Sequence, residues 1–107
     1  MIDPLRPYRR LARNARLANC RLAAAIAALR PGEWDAPRTS FFPSLRATMN
    51  HIYTVDLFYL DALQGGTLGI AAFSVAEPYT RSAALFAAQM MLDQTAIALV
   101  DAMTPAE

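Results

Sequence analysis

Apolar residues recur every three or four positions over three long stretches of the chain, and this spacing predicts three α-helices. The first is predicted over residues 3–29, because Asp3 followed by Pro4 is a typical helix start and Pro31 followed by Gly32 a typical stop. Its bundle-facing seam consists of Leu5, Tyr8, Ala12, Ala15, Asn19, Leu22, Ile26 and Leu29.

The second helix is predicted within residues 40–66, with Pro43 at its first helical position and Gly65 at its end. Its apolar arc is wider than one neighbouring helix can cover, which predicts a position inside a bundle. His51 is the only histidine of the chain and lies at the margin of this arc. We therefore expect His51 to face a seam between helices.

The third helix is predicted over residues 79–103, between two prolines, and no stretch alternates as a strand would. In the connections, Trp34 is expected to pack over one end of the bundle and Phe73 against its core. A chain of 107 residues is long enough for one domain. The predicted fold is a single all-α domain over residues 1–107, an up-and-down bundle with three helices.

The composition, 55% hydrophobic and 18% charged, is typical of a globular chain. A net charge of +1 produces no strong field, so we expect neither nucleic acid nor a membrane as partner. The longest uninterrupted apolar run, residues 22–29, is too short to span a bilayer. With one cysteine, Cys20, and no signal-peptide pattern, a cytoplasmic location is the expectation.

The second and third helices are more apolar than a three-helix core requires, and Met90, Met91 and Met103 add adaptable apolar surface. An apolar groove should therefore remain on the single chain. We expect another chain to fill this groove, which predicts a homodimer.

His51 is the first candidate functional residue, because a histidine that faces a bundle can bind zinc, nickel or another divalent metal. The alternative is a seam histidine bonded to a neighbouring side chain or carbonyl. Asp56, Asp61, Asp93 and Asp101 do not form the Glu-x-x-His pattern of di-iron bundles. We interpret these four acids as solvated or capping residues.

The first helix is rich in arginine and could bind phosphate or another anion: Arg6, Arg9, Arg10, Arg13, Arg16 and Arg21. Without interleaved aromatic residues or a nucleic-acid motif, a solvated face is the preferred interpretation. Cys20 has no neighbouring histidine that would activate it and is interpreted as a packed thiol.

Two stretches, RLARNARLANCRL and FFPSLRATMNHIYTVDLFYLDALQGG, resemble the DinB/YfiT-like family of four-helix bundles. The second is similar to the family's run of serine, leucine, histidine-isoleucine, acid, aromatic and leucine that ends in glycine. The resemblance implies that His51 is the first of three metal-binding histidines. It also implies a divalent metal (zinc or nickel), a homodimer and a small thiol as substrate.

The sequence departs from the family at the other two histidines, which form an H-x-x-x-H pattern on a fourth helix and have no counterpart here. We therefore expect an incomplete domain without the fourth helix. The first hypothesis is a metal-dependent enzyme, a hydrolase or thiol transferase, whose metal site is incomplete in one chain. The alternative is a non-catalytic module for helical dimerisation or small-ligand binding. Anion or nucleic-acid binding through the arginines ranks third.

Overall fold

The computed structural model describes residues 2–105, which form three α-helices and one short 3₁₀ helix. α1 spans Arg6–Ala27, α2 spans Leu45–Leu63 and α3 spans Ser82–Ala102. The 3₁₀ helix, Gly69–Phe73, lies in the connection between α2 and α3. No strand is present in the described part of the chain, so the prediction of an all-α fold is confirmed.

The first two helices begin later than the sequence pattern predicts, because side chains hold the preceding residues outside the helix. Before α1, the carboxylate of Asp3 accepts a hydrogen bond from the Leu5 backbone N–H at 2.9 Å. Before α2, the Ser44 hydroxyl accepts from the Ala47 N–H at 3.0 Å and is the N-cap. The prediction that Pro43 is the first helical residue is therefore wrong by two positions.

The start of α3 is determined by a buried asparagine on α2. Asn50 is completely buried, and its side chain bonds both backbone groups of Tyr79, at 3.0 Å to the N–H and 2.8 Å to the C=O. These bonds hold Tyr79 outside the helix, so α3 begins at Ser82. Trp34 donates to the Thr80 carbonyl at 3.0 Å, which anchors the first loop on the same end of the bundle.

α3 is the central helix, because α1 and α2 both pack on it and make no contact with each other. α2 also packs on the 3₁₀ helix, where the rings of Phe58 and Phe73 are 5.4 Å apart. The prediction that Phe73 packs against the core is wrong, because Phe73 is 41% exposed and its partner Phe58 is only half-buried. The buried apolar core consists of Ile26, Leu60, Ala72, Leu85, Phe86 and Ile97.

An open groove runs between α1 and α2, with α3 as its floor, and encloses about 200 Å³. We call it the α1–α2 groove. Its lining residues are Ala12 and Ala15 from α1, Asp56, Tyr59, Leu60 and Leu63 from α2, and Leu92, Asp93 and Ala96 from α3. The expectation of an apolar groove on the single chain is thus met by the structure.

The chain is more extended than a globular monomer of its size. Its radius of gyration is 15.5 Å, whereas a compact domain of this length has about 13 Å. It exposes 7371 Å², compared with about 5,900 Å² for a compact monomer of the same mass. The excess of roughly 1,500 Å² is surface that ordinary domains bury.

α3 is apolar around most of its circumference, with a mean hydropathy of 1.5 over its most apolar 18 residues. By length and composition it is the one described helix that could cross a membrane, a test that the core helix of a globular protein also passes. Only 28% of that stretch is buried within the described chain. The expectation that no membrane is involved stays a prediction.

Truncating the core of α3 should destabilise the fold strongly. Leu85 is 1% exposed, so Leu85→Ala should lower the free energy of unfolding by about 2–5 kcal/mol, measured by urea denaturation. Met91 lies on the same helix but is 74% exposed, so Met91→Ala should change it by less than about 0.5 kcal/mol. Equal losses of unfolding free energy in the two variants would contradict the assignment of Leu85 to the buried core.

Candidate functional site

Four polar side chains connect all three helices, and two of them, Asp56 and Asp93, line the α1–α2 groove. Asp93 of α3 is 5% exposed and accepts hydrogen bonds from the amides of Asn19 on α1, at 2.8 Å, and Gln89 on α3, at 3.0 Å. The Gln89 amide also donates to Asp56 of α2 at 3.0 Å. We call Asn19, Asp56, Gln89 and Asp93 the Asp93 cluster.

Helical spacing explains why these residues meet. Gln89 and Asp93 are four residues apart on α3, so both side chains point to the same face. Asn19 occupies the one polar position of the α1 seam, and Asp56 lies one turn before Leu60, which packs on α3. α1 and α2 therefore each contribute one polar residue to the cluster and α3 contributes two, all at the same height along the bundle.

The Asp93 cluster contains two carboxylates and no compensating positive charge. Burial raises the pKa of Asp56, and the charge of Asp93 raises it further, while the hydrogen bond from Gln89 acts in the opposite direction. Among the described residues that line the groove, none is arginine or histidine. The ionised form of Asp56 is therefore less favoured here than it is for a solvent-exposed aspartate.

The interpretation of the aspartates as solvated or capping acids is wrong for Asp93, which is buried and hydrogen-bonded, and for half-buried Asp56. It holds for Asp61, which accepts from the Leu68 N–H at 2.9 Å. It holds also for Asp101, which forms a surface ion pair with Arg13 at 2.7 Å. Polar residues inside otherwise apolar helix faces were the signal that could have identified the Asp93 cluster.

His51 lies on a different face of α2, away from the Asp93 cluster. The five residues that separate it from Asp56 correspond to roughly 140° around the helix. Its imidazole is exposed and stacks on Phe42, with ring centroids 4.4 Å apart. The expectation that His51 faces a seam between helices is wrong, because α2 packs on α3 through the side that carries Leu60.

The His51 pocket is a depression of about 340 Å³ that also includes Thr54 and Glu77. Glu77 is already occupied, since its carboxylate accepts from the Arg46 guanidinium at 2.7 Å. Among residues 2–105, no three histidine, cysteine, aspartate or glutamate side chains are grouped closely enough to hold a metal ion. These residues by themselves do not fit a three-ligand site, and the assignment of His51 as a metal ligand stays a prediction.

Two arginines of α1 form ion pairs with other segments of the chain, so they are not simply solvated. Arg9 pairs with Asp3 at 2.6 Å, and Arg13 makes two hydrogen bonds to Asp101 of α3 at 2.7 and 2.9 Å. The Arg13 guanidinium lowers the pKa of Asp101, mainly through these hydrogen bonds. The other four arginines of α1 are exposed, as expected for a solvated face.

Cys20 differs from its predicted environment. The residue is exposed at the contact between α1 and α3, and its Sγ lies 3.4 Å from the Met90 sulfur. The interpretation as a packed thiol is therefore wrong, because α3 covers only one side of the residue.

Fold and groove together define a small helical bundle whose central helix is incompletely covered. The family model of the DinB family matches residues 1–105, and the chain belongs to this family. The resemblance inferred from the two sequence stretches is thereby confirmed. Neither the curated proteins nor the solved structures give a match. Family membership establishes a helical bundle of a family associated with metal binding, and no specific reaction.

Removing the acceptor at the centre of the Asp93 cluster should destabilise the fold. Asp93→Ala leaves the buried amides of Asn19 and Gln89 without this partner, which costs about 1–3 kcal/mol of unfolding free energy in urea denaturation. Asp101→Ala removes a surface ion pair and should have little effect. A larger loss for Asp101→Ala would contradict the central role of the cluster.

The raised pKa of Asp56 predicts how stability depends on pH. Because the folded state disfavours the charged carboxylate, this residue destabilises the fold above its folded pKa, and the effect disappears as the pH falls below its unfolded value. Asp56→Asn should therefore raise the melting temperature at pH 7.5, with a gain that shrinks toward pH 4. Thermal melts at several pH values measure this, and a constant or growing gain would contradict it.

Proposed function

We propose that this chain is a helical association module in which a second copy of the chain covers the α1–α2 groove. The single supporting observation is the exposed apolar surface along both walls. On α2, Tyr59 is 62% and Leu63 is 64% exposed. On α1, Tyr8 and Leu11 are 58% and 61% exposed, each one turn before a lining alanine.

The amount of exposed surface favours a second chain over a small ligand. A stable interface buries about 800 Å² on each partner, and permanent homodimers bury more. The excess of roughly 1,500 Å² on this chain is of that size. A ligand confined to a groove volume of about 200 Å³ would leave most of this surface in water.

The chemistry of the walls also suits two identical partners. Tyr8, Leu11, Tyr59 and Leu63 are all uncharged, so two copies related by a two-fold axis could pack these four side chains together without like-charge repulsion among them. Aromatic and aliphatic residues are typical of the buried part of homodimer interfaces. Covering the groove would also cover more of α3, which an apolar helix in water requires.

A second candidate is supported by family membership alone. It is the metal-dependent enzyme, of hydrolase or thiol-transferase type, with His51 as one ligand of zinc or nickel and a small thiol as substrate. It requires further ligands, because the neighbouring Glu77 is paired with Arg46. Both candidates are compatible with a dimer, so the metal has to be tested separately.

A charge placed on the groove wall should separate the dimer. Leu63→Asp introduces a carboxylate that has to be desolvated on association, so the dissociation constant should rise at least about 100-fold in sedimentation velocity. Met91→Asp is the matched control, since Met91 is exposed to a similar degree on the opposite side of α3. A monomeric native chain, or a dimer lost only in Met91→Asp, would overturn the proposed interface.

Metal binding distinguishes the two candidates. If association is the only function of the chain, zinc added to the purified protein should be removed by desalting, and His51→Ala should leave the dimer unchanged, because His51 is exposed and lies outside the groove. Metal per chain is measured by atomic emission. A retained ion that is lost in His51→Ala would instead support the metal-dependent enzyme.

A further inference from the structure

We infer that association through the α1–α2 groove is coupled to proton uptake at the Asp93 cluster, so that the dimer becomes tighter as the pH falls. This inference rests on the proposed function. It concerns the one place in the groove where ionisable side chains lie among apolar walls.

The two carboxylates of the cluster differ in how many hydrogen bonds they accept. Asp93 receives a hydrogen bond on each oxygen, from Asn19 and Gln89. Asp56 receives one bond, on Oδ2 from Gln89, and within residues 2–105 its Oδ1 has no hydrogen-bond donor. Oδ1 of Asp56 therefore depends on water in the open groove when the carboxylate is ionised.

A second copy that covers the groove removes this water. An ionised carboxylate without hydrogen-bond donors is costly to desolvate, whereas the protonated form is much less so. Among the described residues Oδ1 of Asp56 has no donor, whereas each oxygen of Asp93 has one, so the proton is expected on Asp56. Burial and the charge of Asp93 already raise the pKa of Asp56 in the single chain.

The groups around Asp56 give no compensation for its charge. α1 contributes Ala12 and Ala15, α2 contributes the neutral phenol of Tyr59, and α3 contributes the like charge of Asp93. In the part of the chain that the structure describes, no cation lines this groove. Covering the groove therefore shifts the pKa of Asp56 further in the same direction, upward.

The sign of the coupling follows from linkage. The dimer, with the higher pKa, binds more protons than two separate chains, so its association constant increases as the pH falls. Each Asp56 can contribute up to about tenfold per pH unit, and the two copies together up to about 100-fold. The effect lies above the ordinary pKa range of aspartate, because both states have raised values.

The test measures the dimer dissociation constant by sedimentation equilibrium at pH 7.5, 6.5 and 5.5. The native chain should associate more tightly as the pH falls, and a further measurement at pH 4.5 extends the series toward the ordinary range of aspartate, where the gain over pH 7.5 should reach at least about tenfold. Asp56→Asn mimics the protonated form, so it should associate tightly and independently of pH. His51→Ala is the control, because an ordinary histidine also titrates in this range, and it should behave like the native chain.

The outcomes separate this inference from the proposed function. No dimer at any pH removes both. A dimer whose affinity does not depend on pH overturns only the proton coupling. A dimer that weakens on acidification also overturns it, and would indicate that an arginine of the partner chain lies beside Asp56. Loss of the pH dependence in His51→Ala would assign it to the histidine and overturn the role of Asp56.

A second measurement covers the case in which Asp56→Asn does not fold. Calorimetric dilution of the native dimer and of His51→Ala at pH 6, in two buffers of different ionisation enthalpy, counts the protons exchanged. A measurable uptake of protons on association, of at most about two per dimer and retained in His51→Ala, is expected. Zero exchange, or proton release on association, would overturn the inference.

Discussion

The arrangement of the three α-helices depends on a single constraint, which is that α1 and α2 each pack on α3 and not on each other. α1 packs along one side of this helix and α2 on another, and the two never meet. The buried core of the described residues is consequently small: three of its six residues are on α3, and α1, α2 and the 3₁₀ helix contribute one each. This arrangement stabilises three helices with a small core and leaves the groove between α1 and α2 open.

The Asp93 cluster defines how the helices are aligned along α3. Apolar contacts alone would tolerate small shifts of one helix past another, whereas the bonds from Asn19 to Asp93 and from Gln89 to Asp56 join α1 and α2 to α3 in one alignment. Buried polar groups are costly unless satisfied, and no buried side-chain polar atom lacks a partner in the described residues. The same cluster places carboxylates at the base of an apolar groove. The residues that align the helices therefore also determine the chemistry of the groove surface.

The two candidate sites are on different faces of α2, and this separation matters for function. His51 and Phe42 form an exposed pocket beside the loops, whereas Asp56, Tyr59 and Leu63 line the groove. Association through the groove would leave the His51 pocket accessible. The family's metal chemistry and the association proposed here therefore concern different surfaces, and neither excludes the other.

The sequence by itself determined the fold class, the approximate helices and the family, because these depend on local periodicity, on turn residues and on a motif that spans α2. It also indicated that apolar surface would remain uncovered. Only the tertiary structure decided that Asp93 is buried and that His51 is exposed. The physical reason is that a helical pattern gives the angle between two side chains on one helix, whereas which face meets α3 depends on contacts distant in sequence.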